Sequence, residues 1–303
     1  MAELEEPLPW TVERRLEFID FRLMWEGQIR RGDLKDSFDI SIQQASTDLA
    51  KYQALAPENL IYDTTRKAYV ATAAFKPHFL RVSADRLLLQ FRALFNGLIA
   101  PRDTSIGAMP DLGVVPEVRR PIDNDRLRLI LRAVRSHSEV DIRYQSFTRE
   151  ECSQRTIVPH ALAFDGFRWH VRAWCKASLQ FKDFVISRMI ELGPPRPGQV
   201  NPDHDQEWIR ECTLCLAPNP KLAPSQRKVV ELDYAMTRGV REVRTTIALA
   251  FYLIRQLNLD IDPELVPPER LQVVLTNKPE YDEARAAAVA ASELMTKQAE
   301  AHS

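Results

Sequence analysis

Residues 11–71 hold three helical patterns followed by two strand-like runs, and that order constrains this 303-residue chain more than any other feature. Residues 11–29 place Leu16, Ile19, Leu23 and Met24 on one face at helical spacing. Thr11 is available to cap them, because a hydroxyl at that position accepts a backbone N–H of the first turn. Gly32 interrupts, and Asp33 starts a short segment over 34–38. Ser41 can cap a third helix over 42–55, in which Ile42, Ala45, Leu49 and Tyr52 form a single apolar stripe. Residues 59–62 and 68–71 read as strands joined by the polar turn Asp63-Thr64-Thr65-Arg66-Lys67. Three helices and a hairpin in so short a span is the order of a winged helix.

The remaining chain divides by periodicity. Residues 84–98 carry Leu87, Leu88, Phe91, Leu94 and Phe95 on one helical side, and 101–121 hold four prolines without a period, as a linker or strap does. After a helix over 125–135 the period changes to two, in runs at 140–143, 155–163, 168–174 and 181–186, which predicts a small barrel. The Pro-rich stretch 193–205, His204 and Asp205 included, reads as a boundary loop. Strands over 208–216, 240–247 and 271–275 alternate with helices over 225–236 and 248–257, a two-layer α+β order, and 284–301 is an Ala-rich, helix-permissive tail. The fold class expected is therefore multidomain α+β. Its parts are a winged helix-turn-helix over 1–82, a linker helix and strap over 83–122, a small-barrel domain over 123–193, an α+β domain over 204–280 and a tail over 281–303.

Composition narrows the function classes. With 45% hydrophobic and 27% charged residues, the chain can fill two or three cores. No apolar run approaches the roughly 20 residues that span a bilayer, so no membrane partner is expected. The acidic, Pro-containing start lacks the basic-then-apolar pattern of a leader. Four cysteines are too few for a disulfide scaffold, and a cytoplasmic location is expected. Cys212-x-x-Cys215 has no second pair, and strand alternation sends the two thiols to opposite faces, so core or inert cysteines are expected and no metal. No Walker loop, dinucleotide fingerprint or nucleophile elbow occurs, and nothing pairs a nucleophile with a base. The sequence argues against an enzyme and calls for no cofactor.

Net charge is −1, but it is unevenly distributed. Residues 126–188 carry 12 Lys/Arg against 6 Asp/Glu, whereas 189–303 carry 13 against 17. The central excess is either a solvated basic face or an anion-binding surface. On the third helix, Gln43, Gln44, Ser46, Thr47 and Lys51 lie away from the apolar stripe. Gln can pair with the N6/N7 edge of adenine, Ser and Thr can bond bases or phosphates, and the Ser41-capped helix start suits phosphate. Asp48 would repel phosphate and is placed at the helix flank. Arg66 and Lys67 at the hairpin tip, and Arg30, Arg31 and Lys35 before the third helix, are candidates for backbone contact with DNA. A merely solvated helix face is the competing reading.

Residues 166–174 are the most informative central stretch. Alternation sets Arg168, His170 and Arg172 on one side and Trp169, Val171 and Ala173 on the other, the latter as core. Neighbouring strands can add Arg143, Tyr144, His160 and Arg188. Guanidinium groups capture phosphate or carboxylate in two-pronged fashion, and Tyr or His can stack on a base.

In these residues the chain resembles the WYL-domain transcriptional regulators. Trp169-His170-Val171 matches the namesake Trp-Tyr-Leu at the Trp, with conservative changes after it. The surrounding Ile142-Arg143-Tyr144-Gln145-Ser146, Pro159-His160-Ala161-Leu162 and Phe184-Val185-Ile186-Ser187-Arg188-Met189-Ile190 agree with it. Residues 40–49 and Leu60-Ile61-Tyr62-Asp63 resemble the BrxR and CapW type found beside phage-defence operons. The resemblance implies a homodimeric repressor of a palindromic double-stranded DNA operator. It implies a winged helix-turn-helix, a Sm-like (SH3-like) WYL β-barrel and a C-terminal WCX dimerisation domain. It also implies a nucleotide or nucleic-acid ligand at Tyr144, Ser146, His160, Arg168, His170, Arg172 and Arg188. The alternative is a single-stranded nucleic-acid sensor that activates transcription or partners a defence enzyme.

Overall fold

The computed structural model describes residues 8–116, 118, 121–148, 150–198 and 200–301. Residues 1–7, read above as free of a leader, and residues 117, 119 and 120 of the expected strap lie outside the described residues. The chain forms two compact units, Met1–Glu117 and Val118–Ser303.

In the first unit, α1 (Trp10–Glu26), α2 (Arg31–Phe38) and α3 (Ile42–Leu55) precede the hairpin β2 (Leu60–Asp63) and β3 (Ala68–Ala71). A two-residue strand between α1 and α2, β1 (Gln28–Ile29), pairs with β3 and gives the antiparallel order β1-β3-β2. The N-cap of α1 is Pro9, with no side-chain hydrogen bond, so Thr11 is not its cap. The helix stops at Gly27, whose φ of 71° needs the missing Cβ, and whose N–H returns to the Leu23 carbonyl. Ser41 caps α3 as expected, accepting the Gln44 N–H at 3.0 Å. The core gathers Leu16, Ile19, Leu23, Ile29, Leu34, Leu49, Tyr52 and Leu60. Ile42 does not belong to the buried stripe: it is 48% exposed. Helix α4 (Ala84–Phe95), capped by Ser83, follows the hairpin.

The second unit opens with α5 (Asn124–Arg135) against an antiparallel sheet. Its strands are β4 (Val140–Tyr144), β5 (Ser153–Phe164), β6 (Trp169–Cys175), β7 (Gln180–Val185) and β8 (Met189–Leu192), in the order β7-β6-β5-β4-β8. The ladder is that of an open sheet with β7 and β8 at its edges. Ile130, Ala133, Val140, Ile142, Ile157, Val171, Ala173, Phe184 and Met189 fill its core. Proline has no N–H to give a ladder, and the β5–β6 register slips between Pro159 and Ala161, leaving His160 as the extra, bulged residue.

The chain then forms α6 (Gln206–Ile209), β9 (Glu211–Pro218), α7 (Pro224–Asp233), β10 (Arg241–Thr246), α8 (Ile247–Gln256), β11 (Val273–Leu275) and α9 (Lys278–Ala301). The three strands run antiparallel as β10-β9-β11 over a core that includes Leu214, Leu216, Ile247, Ala250 and Val273. The expected strand over 208–216 begins only at Glu211, because Asp205 is not loop but the cap of α6, accepting the Trp208 N–H at 3.2 Å. The tail is a 24-residue helix that starts at Lys278. Among the described residues no helix is long and apolar enough to cross a membrane.

Candidate nucleic-acid interface and ligand cleft

Helix α3 presents two faces of different chemistry. Ala45, Leu49 and Tyr52 are buried, whereas Ser41, Gln43, Gln44 and Thr47 are exposed and Ser46 and Lys51 are half-exposed. Ser46 Oγ donates to the Ile42 carbonyl at 2.9 Å and Thr47 Oγ1 to the Gln43 carbonyl at 3.1 Å, so both hydroxyls keep lone pairs for outside donors. Asp48 corrects its sequence placement. It is 2% exposed, gripped by Arg15 at 2.7 and 3.2 Å and by Gln44 Nε2 at 3.1 Å, so it turns inward as a paired charge.

The wing is tied to α2 by a residue that sequence placed on the DNA backbone. Arg31 donates to the Tyr69 hydroxyl at 2.8 Å and lies over the Tyr62 and Tyr69 rings at 5.4 and 5.2 Å. Arg30 is exposed, its backbone N–H held by Asp33. In the wing turn Asp63 accepts the N–H groups of Thr65 and Arg66, and Lys67 takes a left-handed φ of 50°. Arg66 and Lys67 are exposed at the tip.

A cleft of about 1020 Å³ in the second unit is walled by β6 and β7 on one side and by α8 and α9 on the other. It gathers Tyr144, Arg168, His170, Arg172 and Arg188 from the sequence candidates; Ser146 and His160 do not line it. Two of the row β6 was expected to expose are in fact buried: His170 and Arg172 are 5% and 4% exposed. The partner face of β6 is covered by the C-terminal domain, which alternation within one strand cannot reveal. Trp169, expected in the core, is instead 41% exposed and stacks on Phe164 at 4.9 Å.

Arg172 is a buried cation with three carboxylates. Its Nε and Nη2 meet Asp205 at 2.7 and 2.9 Å, Nη2 also meets Glu207 at 2.8 Å, and Nη1 meets Asp183 at 3.2 Å. Burial alone would lower its pKa, but the hydrogen bonds it donates to Asp205 and the field of Asp183 raise it. Burial likewise pushes Asp205 up, yet the bonds from Arg172 and His160 hold it below the ordinary carboxylate range. The bulged His160 reaches Asp205 Oδ2 at 2.9 Å and stands edge-on to Phe181 and Trp208. His170 bonds Asp165 at 2.8 Å and faces Tyr252 of α8, whose hydroxyl lies 3.3 Å from Nδ1. Burial, then Asp183, raises the Tyr252 pKa. His160 and Arg172 thus join the sheet to the C-terminal domain.

Among the groups the cleft leaves open to a ligand are guanidinium groups beside rings. Arg168, 40% exposed, lies over Phe167 at 5.8 Å and only 3.5 Å from Asp165. Arg188 lies over Phe147 at 5.9 Å, and Phe147 is 89% exposed. Sequence reasoning missed Phe147, Phe167 and every residue of α6, α8 and α9. The one legible signal was Asp205, a capping residue two positions before Glu207 and three before Trp208. Cys212 and Cys215 are free thiols, and no metal-binding cluster occurs among the described residues.

The comparisons agree with this architecture. Residues 11–93 match the BrxR transcriptional regulator winged helix-turn-helix domain, 125–194 the WYL domain, and 211–281 the BrxR transcriptional regulator C-terminal dimerization domain. Fold and domain content define a winged-helix regulator with a WYL domain and a dimerisation domain. The DNA-binding transcriptional repressor CapW of Stenotrophomonas maltophilia is 43% identical over 272 residues, covering 89% of this chain and 91% of the relative. CapW of Escherichia coli (strain KTE188) is 39% identical over 274 residues and CapW of Pseudomonas aeruginosa 39% over 271, with the same coverage. The chain belongs to the CapW family.

Proposed function

We propose that the chain is a DNA-binding transcriptional repressor that acts as a homodimer on a palindromic operator. Its α3 enters the major groove, and Arg66 and Lys67 touch the flanking backbone or minor groove. The observation that carries this reading is the start of α3, where Gln43, Gln44 and Thr47 are exposed above a buried seam. Arg30 and Lys51 are further phosphate candidates, and Ser41 orients the helix start. Two subunits set their reading helices about 34 Å apart, one turn of B-DNA, which accounts for a palindrome. The operator it serves is, on the resemblance above, that of its own phage-defence operon.

The WYL cleft takes a nucleotide or nucleic acid in this reading, because its open cations lie beside exposed rings. Stacking on an aromatic ring tolerates any base, and a guanidinium matches a phosphate. A ligand that prefers the DNA-incompetent dimer releases the operator through that difference in affinity alone.

Gel-shift titration on the chain's own promoter tests the repressor reading. Gln44→Ala with Ser46→Ala and Thr47→Ala should weaken binding at least about tenfold, since each lost base contact is worth about 1–3 kcal/mol. Undiminished binding by that triple variant overturns the assignment of α3.

A further inference from the structure

The α8–α9 wall of the cleft carries its own guanidinium–ring arrangement. Phe251 on α8 is approached by Arg255, one turn along the same helix, at 5.6 Å, and by Arg285 of α9 at 5.0 Å. Arg255 is 64% exposed, and its nearest carboxylate, Asp260, stands at 3.8 Å, beyond hydrogen-bond reach. Arg285 is 44% exposed and is shared with Glu207 at 3.1 Å. Neither cation is consumed by burial, unlike Arg172. The turn before β6 comes close to this wall: a Cβ on Gly166 would sit 2.8 Å from Gln256 Nε2, which brings Phe167 and Arg168 beside the end of α8. The cleft, at about 1020 Å³, stands at the top of the roughly 300–1,000 Å³ range of small-molecule sites. A single nucleotide leaves much of it empty.

We infer that Phe251, Arg255 and Arg285 form a second anion-and-ring subsite, so that the cleft takes a single-stranded oligonucleotide of two or more residues in preference to a mononucleotide. One base and phosphate lie against Phe167 and Arg168, and the next against Phe251 and its two arginines. The inference rests on the nucleic-acid reading of the WYL side given above, and it assigns half of the site to the dimerisation domain.

Competition anisotropy with the full-length protein tests it. Thymidine monophosphate and oligothymidylates of two to six residues displace a labelled hexamer. The wild type should bind the dinucleotide and longer strands at least about tenfold more tightly than the monophosphate, a step of the size one stacked base supplies. In Arg255→Ala/Arg285→Ala that step should disappear while the monophosphate binds within about twofold of wild type. Arg255→Ala alone, at an exposed position, and Arg285→Lys, which keeps the charge opposite Glu207, should each lose part of the step with an unchanged melting temperature. If Arg168→Ala/Arg188→Ala weakens every ligand while Arg255→Ala/Arg285→Ala matches wild type at all lengths, the second subsite is overturned and the WYL reading stands. The reverse pattern supports the subsite and removes the WYL residues. Absence of binding by any strand to the wild type overturns both.

Discussion

Arg172 and Asp205, thirty-three positions apart, meet through two hydrogen bonds of 2.7 and 2.9 Å with almost no solvent on either side chain. One comes from β6 of the WYL sheet and the other is the cap of α6, so the pair fastens two domains that sequence reasoning separated by a loop. Taking one partner from a buried pair leaves the other charged and desolvated, which costs about 3–5 kcal/mol. Arg172→Ala should therefore lower the urea midpoint of the second unit markedly, and Asp205→Ala should do so to a similar degree. In a double-mutant cycle the two losses should be far from additive. An unchanged midpoint in either single variant would contradict the pairing.

Acid should open the same junction. The folded pKa of Asp205 is held below the ordinary value of about 3.9, so its contribution to stability is complete above that value and is lost as pH falls through the depressed one. Asp165 is lowered too: burial opposes the shift, and the backbone N–H of Arg168, then His170, outweigh it. Unfolding free energy, as far as these two groups set it, should stay level from neutrality to about pH 5 and fall below about pH 4. Asp205→Asn should remove part of that acid slope. A slope unaffected by the substitution would assign it to other groups.

Gly166 is a conformational requirement as well as a close approach. Its φ of 88° is strained for any residue with a Cβ, and the added carbon would press on Gln256. Gly166→Ala should cost about 1–3 kcal/mol by thermal melting. Adding Gln256→Ala should recover only the steric share, because the backbone strain persists. Complete recovery would show that φ is not limiting.

Helix α3, the proposed reading helix, should respond to a residue on its hidden side. Arg15 of α1 neutralises the buried Asp48, and Arg15→Ala leaves that carboxylate with Gln44 as its remaining side-chain partner. We expect a loss of about 3 kcal/mol in the stability of the first unit and a weaker gel shift, although Arg15 lies on α1 rather than on the reading helix. Asp48→Asn with Arg15→Met should recover most of the stability. Ser41→Ala, by contrast, should cost only about 1 kcal/mol, the worth of a cap.

The sequence made the architecture of both units legible where pattern and capping coincide. Helix α3 could be placed to the residue because Ser41, the stripe from Ala45 to Tyr52 and the following turn agree with one another. Strand β1 could not, since two residues carry no period, and it exists only because β3 offers an edge. The cleft was half legible. Alternation identified Arg168, His170 and Arg172 as a set, but whether a face meets water or another domain is a tertiary fact. Two of the three proved to be buried. The residues opposite them on α6, α8 and α9 lie too far along the chain for any local spacing to pair them.

Asp20 of α1 accepts the Tyr52 hydroxyl from the back of α3 and the consecutive N–H groups of His78, Phe79 and Leu80, the last two at 2.5 and 2.9 Å. One carboxylate is therefore a common hinge pin for α3 and for the segment that leaves the wing. Neither can be redirected without stripping a buried anion of donors it has no means to replace. The orientation of α3 against the wing is thereby set by an acidic residue that contributes nothing to the exposed surface.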